Sequence, residues 1–316
     1  MDPYGHELPL QLFRFTEAIR TGHCPVPTTR NIFFNQDLNS ILSQETLNVE
    51  RSEVQKTILG KTGLEVTRLG IGAGYGLSAT NVIYALEKGI NFFFWAPFLP
   101  GYIPVSWNLK KILPGYRDKI VFATATYFWS LPNSFERILH RHLKWSGTDQ
   151  IDIFFLGMMR KIPDQRKLEE LLKLKEKGMF KFLGVSTHKR KFVEEIMRKW
   201  PVDVLMIRYN MAHRGAEQDV FHFLPEKDRA GIIGFNATKH KTLLRSPKGW
   251  KADKPVPTAG DCYRFVLSNP SVDMVLAGPR SKEQIDEAIA AVEKGPLSEE
   301  ELKWMREFGD LVHKKA

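Results

Sequence analysis

Gly89-Ile-Asn-Phe-Phe-Phe-Trp-Ala-Pro97 reads as a helix stop, a turn and a short strand buried on both faces. Lys88-Gly89 ends an amphipathic pattern, and Ile90 to Trp95 is almost wholly apolar. Seven comparable runs surround it: Arg68–Gly74, Ile120–Thr124, Ile151–Leu156, Phe182–Ser186, Val202–Ile207, Gly231–Asn236 and Val272–Gly278. A helical pattern separates each run from the next. The strands are therefore parallel with crossover helices, and eight such units close into an α/β fold, the (β/α)8 TIM barrel. Ligands in that fold lie at the strand carboxyl ends, so the second strand delivers Phe94, Trp95, Ala96 and Pro97 to the site.

One barrel with additions accounts for all 316 residues, of which 43% are hydrophobic. No apolar run approaches the roughly 18 residues of a membrane span. The first residues lack the basic, apolar, small-residue order of a secretory signal, and the expectation is a soluble, cytoplasmic protein. Cys24 and Cys262 are too few for a disulfide framework or a multi-cysteine metal site, so no metal is expected. A net charge of +10 attracts anions. Yet Lys167, Lys173, Lys175 and Lys177 alternate with Glu169, Glu170 and Glu176 in the manner of a solvated outer helix. With no aromatic-interleaved basic motif, nucleic acid is disfavoured.

The barrel is expected over 54–316, after an extension of residues 1–53. Leu8–Arg20 and Asp37–Asn48 are predicted helices of that extension. Its Phe13, Phe15, Phe33 and Phe34 call for burial against the barrel, a protein partner or a second copy of the chain. Val54–Thr67 alternates across Gly-Lys-Thr-Gly, a hairpin that would plug the barrel's amino end. Helices are predicted near 79–88, 107–113, 134–144, 165–177, 190–199, 219–230, 259–267 and 282–294, with an extra C-terminal helix over 298–314. Ser281 with Gln284, and Ser298 with Glu301, have capping-box spacing.

Residues within six places past the strands include Tyr75, Phe98, Tyr127, Trp129, Met158, Arg160, His188, Asn210, His213, Lys239 and His240. This aromatic, cationic mouth suits a small-molecule ligand of aromatic or anionic character. It holds no carboxylate, which excludes a paired-carboxylate glycosidase and a carboxylate-metal site. Tyr127 and His188 are candidate proton donors within it.

Thr62–Gly72, Gly89-Ile-Asn-Phe-Phe93, Asp152-Ile, Leu183-Gly-Val-Ser186, Tyr209-Asn210, Leu267-Ser-Asn-Pro270 and Gly278-Pro-Arg-Ser281 through Gln284 and Glu287 together resemble the aldo-keto reductase superfamily. The resemblance covers roughly residues 55–300. It implies carbonyl reduction by NADP(H), with a Tyr acid, an Asp and Lys that lower its pKa, and a His that orients the carbonyl. Here those four places hold Leu99, Phe94, Ala125 and Gly157, so the whole set is missing. Tyr102 is the candidate that an inserted Leu-Pro-Gly would bring to the Tyr place. For the cofactor, the resemblance implies Phe235 stacked on the nicotinamide and Ser186 at its carboxamide. It also implies Gly278, Arg280, Ser281, Gln284 and Glu287 around the 2'-phosphate and adenine. Thr187, Met206 and Ala288 replace the family's Asn, Gln and Asn.

Two functions follow. One is an oxidoreductase of non-standard mechanism that retains part of an NADP(H) pocket, with Tyr102, Tyr127 or His188 as acid. The other is a catalytically inactive binding or assembly protein on the same barrel.

Overall fold

Eight short strands with no polar face have nowhere to lie except between two apolar layers, and a closed parallel barrel supplies both. The computed structural model describes residues 54–313 apart from 73, 75, 98, 99, 107 and 128–133. The expected helices Leu8–Arg20 and Asp37–Asn48, and the expected burial of Phe13, Phe15, Phe33 and Phe34, lie outside the described residues.

An antiparallel hairpin, β1 (Lys56–Ile58) and β2 (Glu65–Thr67), precedes the barrel. Its turn carries fully buried Leu59 against Gly231, and the Lys61 N–H donates to the Arg229 carbonyl, so the hairpin closes the amino end as expected. The barrel strands follow in chain order: β3 (Leu69–Gly72), β4 (Phe92–Trp95), β5 (Val121–Thr126), β6 (Ile151–Leu156), β7 (Phe180–Thr187), β8 (Val204–Arg208), β9 (Gly231–Phe235) and β10 (Met274–Ala277). Each pairs in parallel with the next, and β10 closes on β3.

Around them lie α1 (Ala79–Glu87), α2 (Ile103–Ser106), α3 (Leu109–Tyr116), α4 (Phe135–Ser146), α5 (Gln165–Glu176), α6 (Val193–Lys199), α7 (Ala216–Asp219), α8 (Ala259–Leu267), α9 (Lys282–Glu293) and α10 (Glu299–His313). Two expectations fail here. The helix expected over 219–230 is only α7 and a 3-10 turn, Phe221–Phe223, because Pro225 forces Leu224 into extended backbone with ψ 129°. The helix expected at 107–113 is displaced to α3, which runs on through Pro114.

One device recurs at the amino ends of alternate barrel strands. Asn91, Asp152, Asp203 and Asp273 each sit between aliphatic or aromatic neighbours at the start of β4, β6, β8 and β10. Each accepts a backbone N–H from the preceding strand segment: Thr67 at 2.6 Å, Phe122 at 2.8 Å, Leu183 at 2.9 Å and Ile232 at 2.8 Å. The three carboxylates also hold cations. Arg117 and Lys181 lie 2.7 and 2.8 Å from Asp152, Lys175 lies 3.0 Å from Asp203, and Arg229 grips Asp273 at 2.6 and 2.9 Å. Backbone donors that the barrel's stagger leaves open are thus satisfied by charged acceptors.

Candidate functional site

Strand register fixes which side chains face the barrel axis. Gly72 is paired with Phe94, Phe94 with Ala123, Ala125 with Phe155, Phe155 with Gly184, Ser186 with Met206, and Arg208 with Phe235. In parallel strands paired residues share a face, and alternate residues repeat it. The ring contact of Phe94 with Phe155, 5.9 Å between centroids, identifies that face as the interior. Trp95, expected in the mouth, points the other way. Its indole Nε1 donates to Ser106 Oγ at 2.8 Å, and its ring packs on His142 and Trp145 in the helix layer.

Three of the four places aligned with the family's catalytic set, Phe94, Ala125 and Gly157, therefore share the inward face near the carboxyl ends. Leu99 lies outside the described residues, as do Tyr75, Phe98 and Trp129. Tyr102 does enter this region. Gly101 packs so closely on Gly74 that a side chain at 101 would overlap the Gly74 carbonyl, which brings Tyr102 down beside Gly72 and Gly74. Its buried ring meets Phe94 edge-on at 6.0 Å. The phenol thus stands against the residue in the Asp place, but with an apolar ring where a carboxylate would be.

Tyr127 reaches the same face two residues after Ala125, and its ring fills the space at Gly157. A Cβ built on Gly157 would meet Tyr127 Cε1 at 2.5 Å. Desolvation pushes the Tyr127 phenol up to about 12. His188, beyond the end of β7, meets Phe235 edge-on at 5.5 Å. Although part of its ring is open to solvent, partial burial and then the nearby charges of Arg208, Arg160 and His240 lower its pKa to about 4. At neutral pH it is an uncharged imidazole. Asn210 and His213 are taken up by the loop itself, Asn210 Oδ1 accepting from the Ala212 and His213 N–H groups at 3.0 and 2.9 Å.

The residues aligned with nucleotide binding form two groups. Ser186 and Phe235 face inward on β7 and at the end of β9. Neighbouring Thr187 is committed elsewhere, its hydroxyl donating to the Met159 carbonyl at 2.6 Å. At the other end Gly278 follows β10 and Ser281 caps α9, its hydroxyl accepting from the Gln284 N–H at 3.4 Å. The expected reciprocal half of that capping box is shifted by one residue, since Gln284 Oε1 accepts the Arg280 N–H at 2.8 Å. The Arg280 carbonyl takes Asn81 Nδ2 at 3.0 Å, while its exposed guanidinium makes no ion pair or hydrogen bond among the described residues. Glu287 is exposed on α9. The Ser298–Glu301 capping box forms as expected, with bonds of 2.7 and 3.2 Å.

Arg208 was not anticipated. It ends an otherwise apolar strand two residues after Met206 and so faces inward, next to Phe235. Its Nε is buried without a hydrogen-bond partner. The missed signal is a lone charge at the inward parity of a buried strand. Beside the mouth a groove of about 820 Å³ runs outward from His188, lined by Arg160, Lys161, Lys189, Arg190 and Lys191 among others. Its two carboxylates are occupied, Asp219 by Arg190 at 3.0 Å and Glu195 by Lys199 at 2.7 Å.

Comparison with known proteins agrees with this geometry. The chain is 23% identical to the L-galactose dehydrogenase of Arabidopsis thaliana over 285 residues, spanning 76% of this chain and 89% of that protein. It is 20% identical to an uncharacterized oxidoreductase, YqkF, of Bacillus subtilis, spanning 79% and 95%. Among solved structures, an aldo-keto reductase of Klebsiella pneumoniae in complex with NADPH superposes with a TM-score of 0.69 at 20% identity, covering 81% of this chain and 96% of that one. The profile of the aldo/keto reductase family matches residues 78–254. On that match, and on a closed eight-stranded barrel of the corresponding topology, the chain belongs to the aldo/keto reductase family.

Proposed function

We propose that this chain is an oxidoreductase that binds NADP(H) and works without the family's usual proton relay. The observation that carries the reading is Arg280: an exposed guanidinium with no protein partner among the described residues, at a helix start capped by Ser281. The positive end of the helix dipole, together with a planar cation, suits a phosphate dianion, which would compete there with the Glu283 carboxylate bonded to Ser281. The NADPH complex of the Klebsiella relative supports the same reading. The fit is uneven. The phosphate end is equipped, whereas at the carboxamide Ser186 stands without the family's Asn and Gln.

A bound nicotinamide would supply the hydride, and the chain must place the carbonyl and deliver a proton. Tyr102 is the group we assign to the proton. Tyr127, raised to about 12, and His188, lowered to about 4, are both poor acids at neutral pH. With Phe94 and Ala125 in place of Asp and Lys, simple aldehydes should react about 100- to 10,000-fold more slowly than with a complete general-acid system.

The test is titration of tryptophan fluorescence with NADPH and NADH. NADPH should bind roughly tenfold or more tightly, and Arg280→Met should remove the preference. Equal affinities in the native chain would sink the reading. Tyr102→Phe should abolish residual aldehyde reduction with NADPH affinity intact.

Phe94 and Ala125, apolar residues in the family's Asp and Lys places, favour a second reading, a binding or assembly protein. It predicts NADPH binding with no turnover, and a partner or second copy held through residues 1–53. A chain starting at residue 54 would then change in assembly size on gel filtration.

A further inference from the structure

His188, Arg208 and Phe235 stand side by side at the top of three consecutive strands, on the inward face that Ser186 and Met206 continue below them. The His188 and Phe235 rings touch. Arg208 lies between them in the register, and its positive charge is felt by His188, His213, Lys239 and His240. Such a cluster is costly. Like charges repel, and a buried guanidinium N–H without an acceptor forfeits a hydrogen bond it would have made in water. No acidic residue reaches Arg208 among the described residues. In a structural role Arg208 would have been paired by a carboxylate, as Arg117, Arg190, Arg229 and Arg264 are with Asp152, Asp219, Asp273 and Glu301.

We propose that Arg208 is a substrate-binding residue, and that the mouth takes a carbonyl compound bearing an anionic group, a carboxylate or phosphate ester. The guanidinium grips the anion through paired N–H donors. Neutral His188 donates or accepts one further hydrogen bond. The groove that opens from His188 past Arg160 and Lys191 gives room for a longer acid. That the occupant is an anion rests on Arg208 and its neighbours; that it is a carbonyl substrate rests on the NADP(H) reading above.

The test uses the full chain, with and without saturating NADPH, titrated calorimetrically with benzoylformate and with its neutral amide. Benzoylformate should bind roughly tenfold or more tightly than the amide. Arg208→Met should erase the difference, Arg208→Lys should retain part of it, and neither should change the Kd for NADPH. Should Arg208→Met fail to fold, the Arg208 Nε–H resonance of the native chain, assigned through Arg208→Lys, should shift on adding benzoylformate. Equal affinity for acid and amide overturns the proposal. So does an Arg208→Met variant that loses NADPH but keeps the acid, which would move Arg208 into the nucleotide site. Acid binding in a chain that binds no NADPH keeps the anion subsite and removes the oxidoreductase reading alone.

Discussion

Tyr127 and Gly157 share one volume, so neither can be understood by itself. The family's orienting His is absent at 157, and the ring of a tyrosine from the neighbouring strand stands where a side chain would begin. Adding even a methyl group must push the ring or the backbone: Gly157→Ala should cost about 1–3 kcal/mol by overpacking. Combining it with Tyr127→Ala should recover part of the overpacking cost. Thermal melts of the four proteins check this, and an unperturbed Gly157→Ala single variant would refute the shared volume. His142 makes a second prediction. It is fully buried, its Nδ1 is 3.0 Å from Thr124 Oγ1, and burial followed by the charge of Arg141 lowers its pKa to about 3. The unfolded chain takes up a proton near pH 6.5 that the folded chain refuses until about pH 3. Stability is therefore complete above pH 6.5 and falls as pH drops through that window, by up to about 1.4 kcal/mol per pH unit. His188 and His213, lowered to about 4, act in the same direction. Urea melts between pH 4 and 7.5 should show the slope, and His142→Gln should flatten it.

At the scale of elements, the barrel's stability is concentrated at the amino ends of alternate strands. Asp152 is nearly inaccessible and holds a backbone donor, Arg117 and Lys181 together. Asp152→Asn leaves two cations facing a neutral amide, and about 3–5 kcal/mol should be lost in urea unfolding. A loss below 1 kcal/mol would show that the cations find water instead. The strands, the hairpin plug, the C-terminal helix and most outer helices were legible in the sequence because apolar runs and 3.6-residue periodicity are local signals. The places of Phe94, Ala125 and Gly157 came from the resemblance to the family, whereas their common inward face came from strand register and the Phe94–Phe155 contact. Which way Trp95 turned was not. A run of four large residues, Phe92 to Trp95, has no polar face to mark the axis, and the choice rests on Ser106, His142 and Trp145 from distant elements. Arg208 lies one place beyond the expected strand Val202–Ile207, and it was passed over there for Asn210 and His213 farther along the loop.

For the whole molecule, the four Asx acceptors divide the barrel unevenly. Each ties an even-numbered strand back to the strand segment before it: β4 to the end of β2, β6 to β5, β8 to β7, and β10 to β9. None of them takes a backbone N–H from the strand that follows, although Asp152 also holds Lys181 on β7 at 2.8 Å. In these backbone bonds the chain is thus a row of four quarters, and a cut between quarters leaves every such acceptor with its backbone donor, while the pair of Asp152 with Lys181 crosses the second boundary. Two separately encoded fragments, 1–162 and 163–316, should find each other when co-expressed and rebuild the barrel. They should co-purify and show the circular dichroism of the intact chain. A cut between Gly147 and Thr148 parts Asp152 from Phe122 and should give fragments that do not reassemble. Equal recovery from both cuts would mean that the barrel closes as a single indivisible ring.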